Sequence, residues 1–138
     1  MKRDARYNGQ YTVHFTGGKE FRKEKESHTR TFETNIKVLY LGGFRDTPIN
    51  RFRSFVSGRT VYREDQAFET KLSDYARLDV RIAWTKNKPS YTRTISIDIQ
   101  NLLNIQNDAY YYYDSFKRET VLNKQLGIIP VIAYRIEF

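Results

Sequence analysis

The sequence predicts an all-β chain, an antiparallel meander of about five long strands. Three observations predict it. Apolar and polar residues alternate with a period of two over long runs. Short turns and long polar connections take turns between the runs. No segment carries an apolar stripe at helical spacing. Strict alternation reads as a strand with one apolar and one polar face, because successive side chains in a strand point to opposite sides.

The elements follow in order. Tyr11, Val13 and Phe15 alternate with Gln10, Thr12, His14 and Thr16, which gives a strand over 10–22. Phe32, Thr34, Ile36, Val38 and Tyr40 alternate with Glu33, Asn35 and Lys37, giving 31–42. Ala76, Leu78, Val80, Ile82 and Trp84 alternate with Arg77, Asp79 and Arg81, giving 75–86. Ile95, Ile97 and Ile99 alternate with Ser96, Asp98 and Gln100, giving 91–102. Ile128, Pro130, Ile132, Tyr134, Ile136 and Phe138 share a face in 125–138. Residues 23–30 and 87–90 read as short turns, whereas 43–74 and 103–124 read as long polar connections. Gly17-Gly18 reads as a bulge and Gly42-Gly43 as a strand end.

Strands in water-soluble proteins usually run about five or six residues. A tilted strand needs ~9–11 to cross a bilayer. A transmembrane barrel also turns its apolar residues outward and its polar residues inward, with short turns on one side and long loops on the other. With Phe138 on the periplasmic side, both short turns fall there and both long connections fall outside. Phe21, Phe32, Trp84, Tyr91 and Phe138 then lie at the periplasmic ends of the apolar faces, with Tyr11 and Tyr40 near the outer ends. That placement predicts two interfacial aromatic girdles. Mid-strand outward positions carry no charge. The outward exceptions, Lys19 and Arg93, lie toward strand ends, where a long side chain reaches the interface.

Composition narrows the function. The chain has 138 residues, the length of one domain, and no apolar run approaches the ~18 residues of a membrane-spanning helix. It has no Cys, which excludes a disulfide framework, a thiol nucleophile and zinc-thiolate sites. His14 and His28 stand apart, so no metal ligand set is assigned. The start, Met1-Lys2-Arg3-Asp4, has no apolar leader. A net charge of +8 points to an anionic partner, but no RNA-binding motif accompanies it, and no nucleic-acid partner is expected.

The segments Asp74-Tyr75-Ala76-Arg77-Leu78-Asp79-Val80-Arg81-Ile82-Ala83-Trp84 and Ser96-Ile97-Asp98-Ile99-Gln100-Asn101-Leu102-Leu103-Asn104 carry a resemblance, together with the closing run 125–138. The chain resembles the C-terminal end of TonB-dependent outer-membrane receptors, particularly those of the Bacteroidetes type. Tyr40-Leu41-Gly42-Gly43-Phe44-Arg45-Asp46-Thr47-Pro48-Ile49 and Gly58-Arg59-Thr60-Val61-Tyr62 are similar to the preceding loop of that family. The resemblance implies the C-terminal part of a transmembrane β-barrel in the outer membrane of a Gram-negative bacterium, serving uptake of a nutrient ligand. It implies that Ile132, Tyr134, Ile136 and Phe138 form the signal read by the barrel-assembly machinery. The expected partners are outer-membrane lipid, the remaining barrel and plug of the full receptor, and the TonB system only through that plug. Such barrels have about 22 strands around a plug. This chain supplies about five and no plug, so it reads as a fragment.

Arg77, Asp79, Arg81, Asp98 and Gln100 are the candidates for the lumen-facing polar surface. A paired-carboxylate site at Asp79 and Asp98 is the chemical alternative to charges balanced across strands. Arg45, Arg51, Arg53, Arg59 and Arg63, interleaved with Phe44, Phe52 and Phe55, are candidates for an extracellular loop that pairs with lipopolysaccharide phosphates or an anionic substrate. A plain solvated loop has the same composition. Tyr110, Tyr111 and Tyr112, with Tyr113, form either a sugar- or peptide-contacting patch or a short β extension. No catalytic residue, metal or cofactor is assigned, and no enzyme motif is present. The alternatives are a soluble β-barrel or sandwich holding a small apolar ligand and a basic RNA-binding β-domain.

Overall fold

The computed structural model describes residues 4–138. Met1, Lys2 and Arg3, part of the segment read as lacking an apolar leader, lie outside the described residues. The elements are β1 (Thr12–Lys25), β2 (His28–Leu41), β3 (Arg45–Asp46), α1 (Arg51–Ser57), a single 3-10 turn (Glu64–Gln66) and β4 (Thr70–Lys71). They continue as β5 (Tyr75–Lys88), β6 (Tyr91–Gln100), β7 (Asp108–Asp114), β8 (Glu119–Lys124) and β9 (Ile129–Glu137). The five long strands form one antiparallel sheet in the order β1-β2-β5-β6-β9. The order is open, so β1 and β9 each have one neighbour.

The chain divides into two units. One, the sheet unit, comprises Val13–Leu39, Arg77–Ile105 and Gly127–Phe138. The other, the loop unit, takes Tyr40–Ala76, Gln106–Leu126 and the described residues up to Thr12.

In the sheet unit, register carries the alternation of single strands across neighbours. Val80 pairs with Ile99 and Ile99 with Pro130; Ile82 pairs with Ile97 and Ile97 with Ile132. Trp84 pairs with Ile95 and Ile95 with Tyr134. The rows between them are Arg81–Asp98–Val131, Ala83–Ser96–Ala133 and Thr85–Thr94–Arg135. One face is therefore apolar and the other mainly polar. Among the described residues no apolar layer covers the first. Val13, Phe15, Ile36, Trp84, Ile95 and Ile132 are all exposed, and Ala83 is the one buried apolar residue described in this unit.

At the two-residue turns β1, β2 and β5 run further than their alternation alone predicts, whereas β6 stops at Gln100 and β9 spans only Ile129–Glu137, short of the predicted 91–102 and 125–138. β1 continues to Lys25 and β2 begins at His28, leaving Glu26 and Ser27 as the turn. β5 continues to Lys88, which pairs with Tyr91 across Pro89 and Ser90. Backbone pairing propagates to the tightest turn available whether or not the side chains alternate, since the ladder uses main-chain groups. The Gly17-Gly18 pair lies inside β1, where a Cβ on Gly18 would sit 2.8 Å from the Thr34 carbonyl oxygen. The close approach of two backbones explains this glycine.

In the loop unit, connections read as irregular hold structure. β3 pairs with β4 and β7 with β8. Residues 110–113 lie in β7, in a two-stranded sheet of their own. Helix α1 departs from the expectation of no helix. Seven residues are too few to show a stripe, but the end signals are there. The Asn50 side chain accepts from the Arg53 amide, and Gly58 closes the helix in the left-handed region at φ 66°. Leu72 and Tyr113 are the buried apolar residues described in this unit.

Three asparagines tie down the segment after β6. Asn101 and Asn104 both sit at φ 54°, a region that Asn tolerates better than most residues. The Asn101 side chain donates to the Ile105 carbonyl at 2.9 Å and accepts from the Ile105 amide at 3.1 Å. Asn104 accepts from the Ile128 amide at 3.0 Å. The Asn107 side chain accepts from the Ala76 amide at 3.0 Å and donates to the Ala76 carbonyl at 2.9 Å, imitating a neighbouring strand. Asn107→Ala leaves both Ala76 groups without that partner. The expected loss is about 1–3 kcal/mol, read as a lower urea midpoint at unchanged m-value.

Candidate functional surfaces

The apolar face of the sheet unit carries the aromatic residues selected from sequence. Phe21, Phe32 and Trp84 come together, with ring centroids 6.1 Å and 5.3 Å apart. With Ile95 and Tyr134 they line an open groove. Tyr91 pairs with Lys88, four register positions beyond Trp84, where the Lys88 ammonium and the Arg93 guanidinium lie 5.3 Å and 4.7 Å from its ring centre. Phe138 follows the end of β9 and is fully exposed, so it does not join the row. The single inner girdle expected from sequence is thus an aromatic row with Tyr91 set apart. Of the residues assigned to barrel assembly, Ile132, Tyr134 and Ile136 lie on one side of the edge strand β9 and are exposed.

More cations share this face than the two outward exceptions read from sequence. Lys19 and Arg93 were expected, and Lys19 lies 4.9 Å from the Phe21 ring centre. The longer β1 and β2 add Lys23 and Arg30 beside the groove, and Lys86, the last residue of the predicted strand 75–86, lies with them.

On the opposite face all five predicted lumen candidates come together. The Arg77 Nε donates to Asp79 at 2.6 Å and its Nη2 to Gln100 at 3.1 Å. Arg81, directly across from Asp98, sends one Nη1 to both carboxylate oxygens at 3.0 Å. Asp79 also accepts from the Asn101 amide at 2.9 Å, and Ser96 donates to Asp98 at 3.3 Å. Each carboxylate is matched with its own arginine rather than with the other carboxylate. Chemically this arrangement is a charge-balanced wall. His14 bonds to Thr16 and His28 to Ser27 through their side chains. Among the described residues no group of three acidic or histidine side chains could hold a metal ion.

The loop unit contains a cluster that sequence reasoning only half foresaw. Tyr11 and Tyr40, the outer girdle pair, sit 6.0 Å apart and both donate to Asp74 Oδ2, at 2.5 Å and 3.1 Å. Asp74 Oδ1 accepts from the Gly43 amide at 3.0 Å, and Lys71 lies 3.6 Å away. The Tyr11 hydroxyl, the Gly43 amide, Tyr40 and Lys71 together hold the Asp74 carboxyl below its ordinary range, against a smaller opposing effect of lost hydration. The same bond pushes the Tyr11 hydroxyl up. Asp74 was legible only as a residue next to a strand start; nothing in the sequence pairs it with Tyr11.

The loop arginines separate. Arg45 is tied to Asp4 at 3.1 Å and its side chain is mostly covered. Arg51 and Arg53 lie on α1 and Arg59 just beyond it, all exposed. Arg63 reaches Gln66 at 3.4 Å. Phe44 lies between Tyr7 and Tyr75, with ring centroids 5.5 Å and 6.0 Å away, while Phe52 and Phe55 on α1 are exposed. Tyr111 donates its amide to Asp46 at 2.7 Å, and Tyr110 and Tyr112 approach to 6.3 Å. These tyrosines are strand residues with structural partners.

Comparison with known proteins found no matching family model, curated sequence or solved structure.

The folded pKa of Asp74 lies below the ordinary 3.8, so its stabilising effect is present above that value and is lost as pH falls through the folded pKa. Hydrogen exchange at the Gly43 amide should therefore stay protected from neutral pH down through the ordinary carboxylate range. Asp74→Ala is expected to speed that exchange on the order of tenfold at neutral pH, as loss of one charge-assisted bond implies.

Proposed function

We propose that this chain is a C-terminal part of a TonB-dependent outer-membrane receptor barrel, its sheet forming a wall between lipid and a polar lumen. The observation that carries this reading is the uncovered apolar face, continuous in register from Val80–Ile99–Pro130 to Trp84–Ile95–Tyr134. The chain exposes 10,099 Å². A water-soluble globular protein of 16.5 kDa exposes roughly 7,500 Å². Less of its surface is withdrawn from water than in a globular protein of that mass, as a sheet with an uncovered apolar face requires. In water such a face drives association; against hydrocarbon it costs nothing.

The polar face supports the same assignment. Arg77–Asp79 and Arg81–Asp98 are costly in lipid and suited to a lumen. The free edges of β1 and β9 set a further requirement. Unpaired strand edges are not tolerated in hydrocarbon, so the reading needs more strands to close the ring. Lipid, the rest of the barrel and its plug, and the machinery that recognises the terminal strand are the partners in this reading. The role is transport of a nutrient ligand, with these strands as scaffold, the long connections outside as capture loops, and no catalysis. A soluble ligand-binding barrel would need an apolar face turned inward and closed over.

Neighbouring residues on β9 test the reading. Val131 pairs with Asp98 on the polar face, and Ile132 with Ile97 on the apolar face. Ile132→Arg should cost about 2–4 kcal/mol in the membrane, while Val131→Arg should be tolerated. The measurement is flotation of the chain with phosphatidylcholine vesicles and urea unfolding from them. Equal behaviour of the two variants, or a wild-type chain that stays monomeric without lipid or detergent, overturns the proposal.

A further inference from the structure

We infer that the end of the sheet bearing the two-residue turns is a docking site for an anionic phospholipid, its phosphate on a row of cations and its acyl chains on the aromatic row beside them. The inference rests on the membrane reading above and adds a lipid class to it.

Two adjoining rows on the apolar face make the site. The first is Phe21, Phe32, Trp84, Ile95 and Tyr134, one residue from each strand of the sheet. The second is Lys23, Arg30, Lys86 and Arg93, one from each of β1, β2, β5 and β6. Register fixes their relation where Lys86 pairs with Arg93 and Trp84 with Ile95, two residues away along each strand. At ~3.4 Å per residue the rows are about 7 Å apart, and four strands at ~4.8 Å spread the cations over about 14 Å. The groove they line holds about 580 Å³. Among the described residues no carboxylate lines it. None of the four cations has an ion-pair partner among the described residues. Arg22, the neighbouring cation that has one, pairs with Glu24.

The combination selects the ligand. Free phosphate would use the cations but leave the aromatic row unexplained. A single-stranded nucleic acid could use both rows, yet beyond Trp84 the face continues into Ile82, Ile97 and Ile132, which offer nothing to a polynucleotide. A diacyl lipid uses all of it. A zwitterionic headgroup would bring a second cation to a row with no acid to receive it; an anionic one would not. Cations at a membrane surface attract anionic headgroups, and long side chains extend to reach them.

Trp84 is the only tryptophan, so its fluorescence reports on this groove alone. The full chain is placed in phosphatidylcholine vesicles containing a minor fraction of acyl-brominated phosphatidylglycerol, or the same fraction of brominated phosphatidylcholine. The brominated phosphatidylglycerol should occupy the site about fivefold or more in preference, judged by quenching, and added salt should reduce the preference. The K23Q/R30Q/K86Q/R93Q variant should lose it, K86Q/R93Q should lose part of it, and R135Q, on the opposite face, should keep it. Equal quenching by both lipids in vesicle-bound wild-type chain overturns the lipid site and leaves the membrane reading standing. Displacement of the lipid by glycerol phosphate or by polyuridylate also overturns it, in favour of a soluble anion or RNA. A chain that binds neither vesicle overturns both proposals.

Discussion

One sheet cannot cover its own apolar face. In the sheet unit that constraint governs everything else, because the register lines up apolar residues of β5, β6 and β9 on one side and leaves no second layer to receive them. A register slip of one residue would exchange the faces of a strand and put Arg81 among isoleucines. The pairing of Arg81 with Asp98 on the other face opposes that slip, since it forms only in the observed register. The two faces therefore specify the same alignment by different means, one by apolar contact and one by charge.

The loop unit is held by a different kind of interaction. With Leu72 and Tyr113 as its buried apolar residues, it depends on side chains that substitute for missing backbone partners. Asn107 takes the place of a strand beside Ala76, Asp46 receives the amides of Thr47 and Tyr111, and Ser54 receives that of Val61. Asp74 does the same for Gly43 while gathering two tyrosines. Backbone groups withdrawn from water need partners, and in segments too irregular for a ladder Asn, Asp and Ser supply them.

The functional reading and the lipid site both follow from what lies on the uncovered face. The aliphatic centre, the aromatic row and the cation row succeed one another toward the two-residue turns. That sequence of surfaces matches the passage from hydrocarbon through interface to charged headgroups. On the opposite face Arg77, Arg81 and Arg135 each pair with a carboxylate instead.

The period-two alternation in residues 76–84 and 95–99 was legible from sequence because it is local: each residue's face depends only on its neighbours along the strand. It placed the five strands, separated the lumen candidates from the outward residues and put Phe21, Phe32 and Trp84 at one end. Its reach ended where alternation gave way to charge. Lys23 and Arg30 were read as turn residues, and only the backbone ladder, which is indifferent to side chains, made them part of the outward face; Lys86 lay inside the predicted strand 75–86, on the Trp84 side, but was not counted among the outward charges. Helix α1 was visible in its caps and not in a stripe. The bonds from Tyr11 to Asp74 and from Asn107 to Ala76 span 63 and 31 residues. No local pattern encodes such contacts, because they exist only once the chain has brought the two positions together.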